Sequence, residues 1–127
     1  VVDNGNDVAL VAAGETVQIA VEAANKLAKQ GIHAKVVDLV SVKPLDTALL
    51  NQIADQVGLV TTIEEHTVYG GLGSAVAETL AIRGDTKIDI VGFPDEPAIA
   101  GSQAEVFEHY GIDAQNIATR VINCLDN

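Results

Sequence analysis

Residues 8–31 read VALVAAGETVQIAVEAANKLAKQG. The first six, residues 8–13, are apolar without a break. A strand of that kind is buried on both faces, as in a parallel sheet. Beyond Gly14 the period changes. Val17, Ala20, Val21, Ala24, Leu27 and Ala28 recur at three- and four-residue spacing through residues 15–30, with Gln18, Glu22, Lys26 and Lys29 opposite. That is one apolar stripe on a helix, and Gly31 supplies a left-handed cap. The stretch is therefore a strand, a tight turn and a helix whose small faces suit close approach to a sheet.

The same unit recurs down the chain. Residues 32–40 form a second strand, after which Pro44 marks a turn and Asp46 caps a helix that turns Leu49, Leu50, Ile53, Ala54 and Val57 inward. Gly58 closes it, residues 59–63 are a third strand, and a glycine-containing loop delivers a helix over residues 71–83 that ends at Gly84. Residues 87–93 alternate before relaxing, which predicts a strand half open to water near an edge. A connection with two prolines follows, then a short helix over residues 102–110. Asp113 caps a last helix through Ile117, Val121 and Leu125. Strands alternating with helices imply right-handed crossovers and an α/β fold, a three-layer α/β/α sandwich on a mostly parallel sheet. Residues 1–127 read as one domain without internal repeats, with residues 1–6 as a linker remnant.

Composition narrows the function. Eighteen acids against 7 Lys and Arg leave a formal charge of −11, which repels phosphate backbones and anionic lipid, so neither nucleic acid nor membrane is expected as a partner. No apolar run spans a bilayer. A single cysteine, Cys124, forms no internal bridge, and no signal-type leader opens the chain, which predicts a cytoplasmic location. The absence of methionine predicts a piece of a longer product. The three histidines and the cysteine lie far apart, without metal-ligand spacing, and Cys124 reads as a small apolar group beside Val121 and Leu125. His33 and His109 read as surface residues.

One stretch combines residue types that do chemistry. TIEEHTVYGGLGSAVAE, residues 62–78, passes from a strand through Glu64, Glu65 and His66 to Gly70, Gly71, Gly73 and Ser74 at a helix start. In open sheets of this class ligands bind beyond the carboxyl ends of the strands, and free amides at a helix start suit an anion. His66 has a side chain able to carry a proton near neutral pH. The alternative is structural: the glycines permit positive φ and close helix–sheet packing, and they lack the spacing of a dinucleotide fingerprint. Of Glu64 and Glu65, only one can face inward if the strand runs through them. The turn at Gly14, Glu15 and Thr16 is a second junction of the same kind.

Taken together, DVALVAAGETVQIAVE (residues 7–22), VVDLVSVKPLD (36–46) and EEHTVYGGLGSAVAE (64–78) resemble the C-terminal domain of transketolase and its thiamine-diphosphate relatives. The resemblance implies a five-stranded sheet, mostly parallel with one antiparallel strand. It implies an enzyme that moves a two-carbon ketol unit between sugar phosphates in the pentose phosphate pathway. Thiamine diphosphate and a divalent metal are then held by other domains, so that this fragment contributes no catalytic, cofactor-binding or metal residue and is inactive alone. Its partners are the remaining thiamine-binding domains or subunit, in a homodimer or heterotetramer. Glu64, Glu65, His66, Gly70, Gly71, Gly73 and Ser74 become an interface loop or part of an active-site mouth. The equivalent domain of a deoxyxylulose-phosphate synthase or of a 2-oxo acid dehydrogenase beta subunit is the alternative; a stand-alone regulatory module binding an anionic metabolite is the alternative of another class.

Overall fold

The computed structural model describes residues 3–39, 46–67, 71–93 and 103–126. The elements run β1 (Asp3–Asn4), β2 (Val8–Ala12), α1 (Thr16–Ala28), β3 (Ala34–Asp38), α2 (Thr47–Gln56), β4 (Leu59–Thr67), α3 (Leu72–Ala81), β5 (Lys87–Phe93), α4 (Gln103–His109) and α5 (Ala114–Leu125). The sheet order is β1-β3-β2-β4-β5. Its body is four parallel strands, β3-β2-β4-β5. Of the five strands expected, with one antiparallel, four make the parallel body, and the antiparallel pairing is confined to the two residues of β1, Asp3 opposite Val36 and Asn4 opposite Lys35. Residues 3–7 read DNGND, with no apolar run to sustain a longer strand. Gly5 allows this pairing, because a Cβ there would lie 2.3 Å from the His33 carbonyl carbon.

β2 is the centre, and all five of its residues are fully buried. Val8, Leu10 and Ala12 face one apolar cluster, built with Ala20, Ala23, Ala24 and Leu27 of α1 and Ile117, Ala118 and Val121 of α5. Ala9 and Val11 face a second, built with Leu50, Ile53 and Ala54 of α2 and Leu72, Val76 and Leu80 of α3. Alternation of side chains along a strand feeds both layers. The alanines of α1 let its backbone settle close to the sheet, where larger side chains would hold it off.

The helix boundaries follow their caps. Asp46 accepts from Leu49 N at 3.0 Å and Asp113 from Asn116 N at 2.8 Å, which satisfies amides that the first turn leaves without partners. Gly31 and Gly84 end α1 and α3 at φ of 80° and 73°. Three expectations change. β4 continues to Thr67, four residues past the predicted end, and Leu125, expected on the inner face of α5, is 41% exposed. Gly58 is not left-handed; extended Val57 ends α2 instead. Pro44, Gly70 and the two-proline connection lie outside the described residues.

The core contains one unsatisfied polar pair. Thr61 and Thr62 are fully buried on opposite faces of β4, and neither hydroxyl has a hydrogen-bond partner among the described residues. A buried hydroxyl without a partner forfeits its hydration for nothing. Thr61→Val should therefore raise unfolding free energy by about 1 kcal/mol in a urea titration; an equal loss would show that the hydroxyl is bonded in solution.

Candidate functional site

The sheet order places a topological switch between β2 and β4. From β2 the chain moves to β3 through α1 on one face; from β3 it returns across β2 to β4 through α2 on the other. Opposite departures leave a crevice at the carboxyl ends of β2 and β4, where open α/β sheets bind their ligands. Here two side chains close it.

The first is Thr16, which opens α1 and is fully buried. Its hydroxyl lies 2.9 Å from the Ala13 carbonyl and 2.9 Å from the Ile63 carbonyl, and Ala13 N donates to it at 3.4 Å. One hydroxyl proton serves one carbonyl at a time, so the group bridges the β2–α1 turn and the end of β4 by exchanging between them. Gly14 makes this turn at φ 63°.

The second is Glu64, only 5% exposed. Its Oε2 accepts from Leu72 N at 2.5 Å and its Oε1 from Gly73 N at 3.1 Å. Those are the first two amides of α3, whose N-cap, Gly71, has no side chain to offer them. A carboxylate eight residues upstream thus does the work of a cap, reinforced by its charge against the positive end of the helix. The strand is shaped for it. Between Ile63 and Thr67 β4 advances four residues while β5 advances two, from Val91 to Phe93. Such an irregularity re-aims side chains at a strand end.

The glycines divide by role. Gly73 is required by packing: a Cβ there would lie 2.4 Å from Ile90 Cγ2 and 2.7 Å from Thr62 Oγ1. Gly71 sits at φ −98°, so the positive-φ reading fails for it. Gly70 is outside the described residues; Glu65 and His66 lie in β4, with their side chains outside the description. Ser74 is half-buried in the first turn of α3. The free amides that the sequence suggested at this helix start are occupied by Glu64. Strand parity carried the signal: Val60, Thr62 and Glu64 are two apart and share the α3 face, once β4 is drawn past Ile63. Thr16 carried no comparable signal.

Elsewhere the chemistry is muted. His33 and His109 are both exposed, as the sequence suggested, and the His109 ring lies edge-to-face on Tyr110 at 4.8 Å. Cys124 is half-buried, its Sγ 3.6 Å from Asp89 Oδ2, and burial, followed by the Asp89 carboxylate, pushes its thiol pKa up. A raised thiol is protonated at neutral pH and is a poor nucleophile. Asp89 itself is held bidentately by Arg120 at 2.6 and 2.8 Å. Among the described residues no three His, Cys, Asp or Glu side chains are placed to hold a metal. A shallow groove of about 480 Å³ lined by Gly5, Asp7, Ala24, Ala28 and His33 lies at the amino ends of the strands, away from the switch point.

Comparison with known proteins places this architecture. The family profile described as "Transketolase, C-terminal domain" matches residues 1–117. A subunit of the apulose-4-phosphate transketolase of Phocaeicola vulgatus is 41% identical over 114 residues, covering 90% of this chain and 36% of that protein. 1-Deoxy-D-xylulose-5-phosphate synthase of Heliobacterium modesticaldum is 44% identical over 115 residues, covering 90% of this chain and 18% of that one. A solved structure described as a split-gene transketolase, inactive beta4 tetramer, superposes with a TM-score of 0.89 at 41% identity, over 98% of this chain and 41% of its own. The chain thus spans less than half the length of each.

The packing role of Gly73 is testable. Gly73→Ala should cost about 1–3 kcal/mol of stability, measured by denaturant unfolding, because the new methyl meets the β-branched stem of Ile90. Gly71→Ala, at an ordinary φ, should cost less than half as much.

Proposed function

The chain belongs to the transketolase C-terminal domain family, and on that premise we propose that it is the supporting lobe of a thiamine-diphosphate transketolase. In this reading it seats the domains that carry out ketol transfer between sugar phosphates in the pentose phosphate pathway. The observation that carries it is the sealed switch point: Thr16 ties β2 to β4, and Glu64 occupies the amides of α3. A lobe that fills its own ligand crevice is built to be packed against.

The residues described do not fit thiamine diphosphate or its metal. The helix amides that would receive a diphosphate are taken by Glu64, and no trio of metal-ligating side chains is present among the described residues. The cofactor and its divalent metal belong, in this proposal, to the remaining domains or to a partner subunit. The identity to a protein named as one subunit of a transketolase, and to a split-gene transketolase structure, supports a split enzyme assembled from more than one subunit. The outward side of α3 supports an interface as well. It carries Ser74, Ala75 and Ala81, with Glu78 as the one charge in the helix and Ile82, 93% exposed, just beyond it. Ala75, Ala81 and Ile82 give this side an apolar strip beside Ser74, Glu78 and Thr79, which suits cover by the rest of the enzyme. The assembly works in the cytoplasm; no described helix is long and apolar enough to cross a membrane.

The equivalent domain of a deoxyxylulose-phosphate synthase is the second reading, favoured by the 44% identity. The anionic-metabolite module loses its site at the β4–α3 turn, because Leu72 and Gly73 already donate to Glu64. His66, close behind Glu64 on β4, is the residue of this chain that we place nearest the active-site mouth.

Incubated alone with thiamine diphosphate, magnesium and sugar phosphates, the 127-residue chain should transfer no ketol unit. Adding the subunit that carries the thiamine-binding domains should restore turnover; transfer by the chain alone would refute the assignment. In that reconstituted enzyme His66→Ala should lower turnover, on the order of 10²-fold where the imidazole moves a proton. Unchanged turnover and donor affinity would confine the segment to packing.

A further inference from the structure

β5 ends the sheet: among the described residues no strand pairs with its outer side. It reads KIDIVGF, and a strand with that share of β-branched residues at an edge is a template for a further strand. Parity decides which groups it offers. Lys87 N donates to Gly58 O and so points toward β4. Backbone groups alternate along a strand, which turns Asp89 and Val91 toward β4 as well and directs the amides and carbonyls of Ile88, Ile90 and Gly92 outward. One of those outward carbonyls is taken. Arg120, on α5, grips the Asp89 carboxylate through Nε at 2.6 Å and Nη2 at 2.8 Å, and the same Nη2 donates to Ile90 O at 3.2 Å. A second contact joins the same helix to the same strand, from Lys87 Nζ to Cys124 O at 2.9 Å. The bidentate pair fixes the guanidinium in one orientation beside the edge.

We propose that Arg120 is an autoinhibitory guard on β5: its contact with Ile90 O keeps a second copy of this chain from adding its own β5 to the sheet. Asp89 is the positioning residue that holds the guard in place. The geometry of strand addition shows what is blocked. Two copies related by a twofold axis would lay their β5 strands antiparallel. Centring that pair on Asp89 sets two carboxylates opposite each other, which is destabilising. Centring it on Ile90 pairs Ile88 with Gly92 and makes each Ile90 exchange both of its hydrogen bonds with its twin, so Ile90 O must be open. Arg120 holds the acceptor that this register needs. The inference is independent of the transketolase reading, and its failure leaves that reading intact.

The test is self-association of the 127-residue chain, read by sedimentation velocity over a dilution series. Arg120→Ala should associate with a Kd at least about tenfold lower than that of the unmodified chain. The substitution adds to a net charge that is already −11, so charge alone predicts weaker association, the opposite sign. Adding Ile88→Pro to Arg120→Ala should return the Kd to the unmodified value, because the lost amide points outward and serves only an added strand. Association of Arg120→Ala no tighter than that of the unmodified chain would overturn the proposal, and so would tighter association that survives Ile88→Pro. Where either variant does not fold, Arg120→Lys decides. It keeps the charge beside Asp89 but loses the fork that spans Asp89 and Ile90 O, and its Kd should fall by about threefold or more. A Kd equal to the unmodified one would overturn the guard.

Discussion

β2 has no solvent-facing side. Val8, Ala9, Leu10, Val11 and Ala12 are all fully buried, with β3 on one edge and β4 on the other. A strand so placed needs a helical layer on each face and a neighbour on each edge, and those demands organise the rest of the chain. α1 and α5 cover Val8, Leu10 and Ala12; α2 and α3 cover Ala9 and Val11. With aromatics at 3% of the chain, the layers close by the near approach of alanine-rich helices rather than by filling space with rings.

That arrangement forces a switch of direction beside β2, and the switch creates a crevice. What the chain does with the crevice separates it from a ligand-binding sheet of the same class. Thr16 and Glu64 come from different junctions and close the space from its two sides, one across β2 and β4, the other across β4 and α3. Gly73 and the irregularity between β4 and β5 serve the same closure. The first lets α3 lie against Ile90 and Thr62; the second carries β4 on to the point where Glu64 meets the helix. Backbone geometry and side-chain chemistry therefore agree on a closed junction, with the Thr62 hydroxyl left unpartnered beneath it among the described residues.

A sealed junction gives the family assignment a physical content. Chains that match the C-terminal domain of transketolases occur in proteins of which this sequence spans less than half. Ile82 stands exposed just beyond the end of α3. The formal charge of −11 repels polyanions.

Much of the fold could be read from residue order. The unbroken apolar run at residues 8–13 requires burial on both faces, the three- and four-residue spacing in residues 17–28 requires a helix, and Asp46 and Asp113 mark helix starts, because each effect acts within a few residues. The position of the candidate site followed, since a strand passing into glycines and a helix start lies at a carboxyl end wherever the sheet is parallel. Other features were decided by tertiary structure alone. Which of Glu64 and Glu65 turns inward depends on how far β4 extends and on its slipped register with β5. The bridge from Thr16 to Ile63 joins groups 47 residues apart. The shortness of the antiparallel edge depends on how many residues of β1 find acceptors on β3. Local sequence determines which hydrogen-bonding groups a segment carries; only the packed sheet brings a distant donor within about 3 Å of its acceptor, and distance in space has no period along the chain.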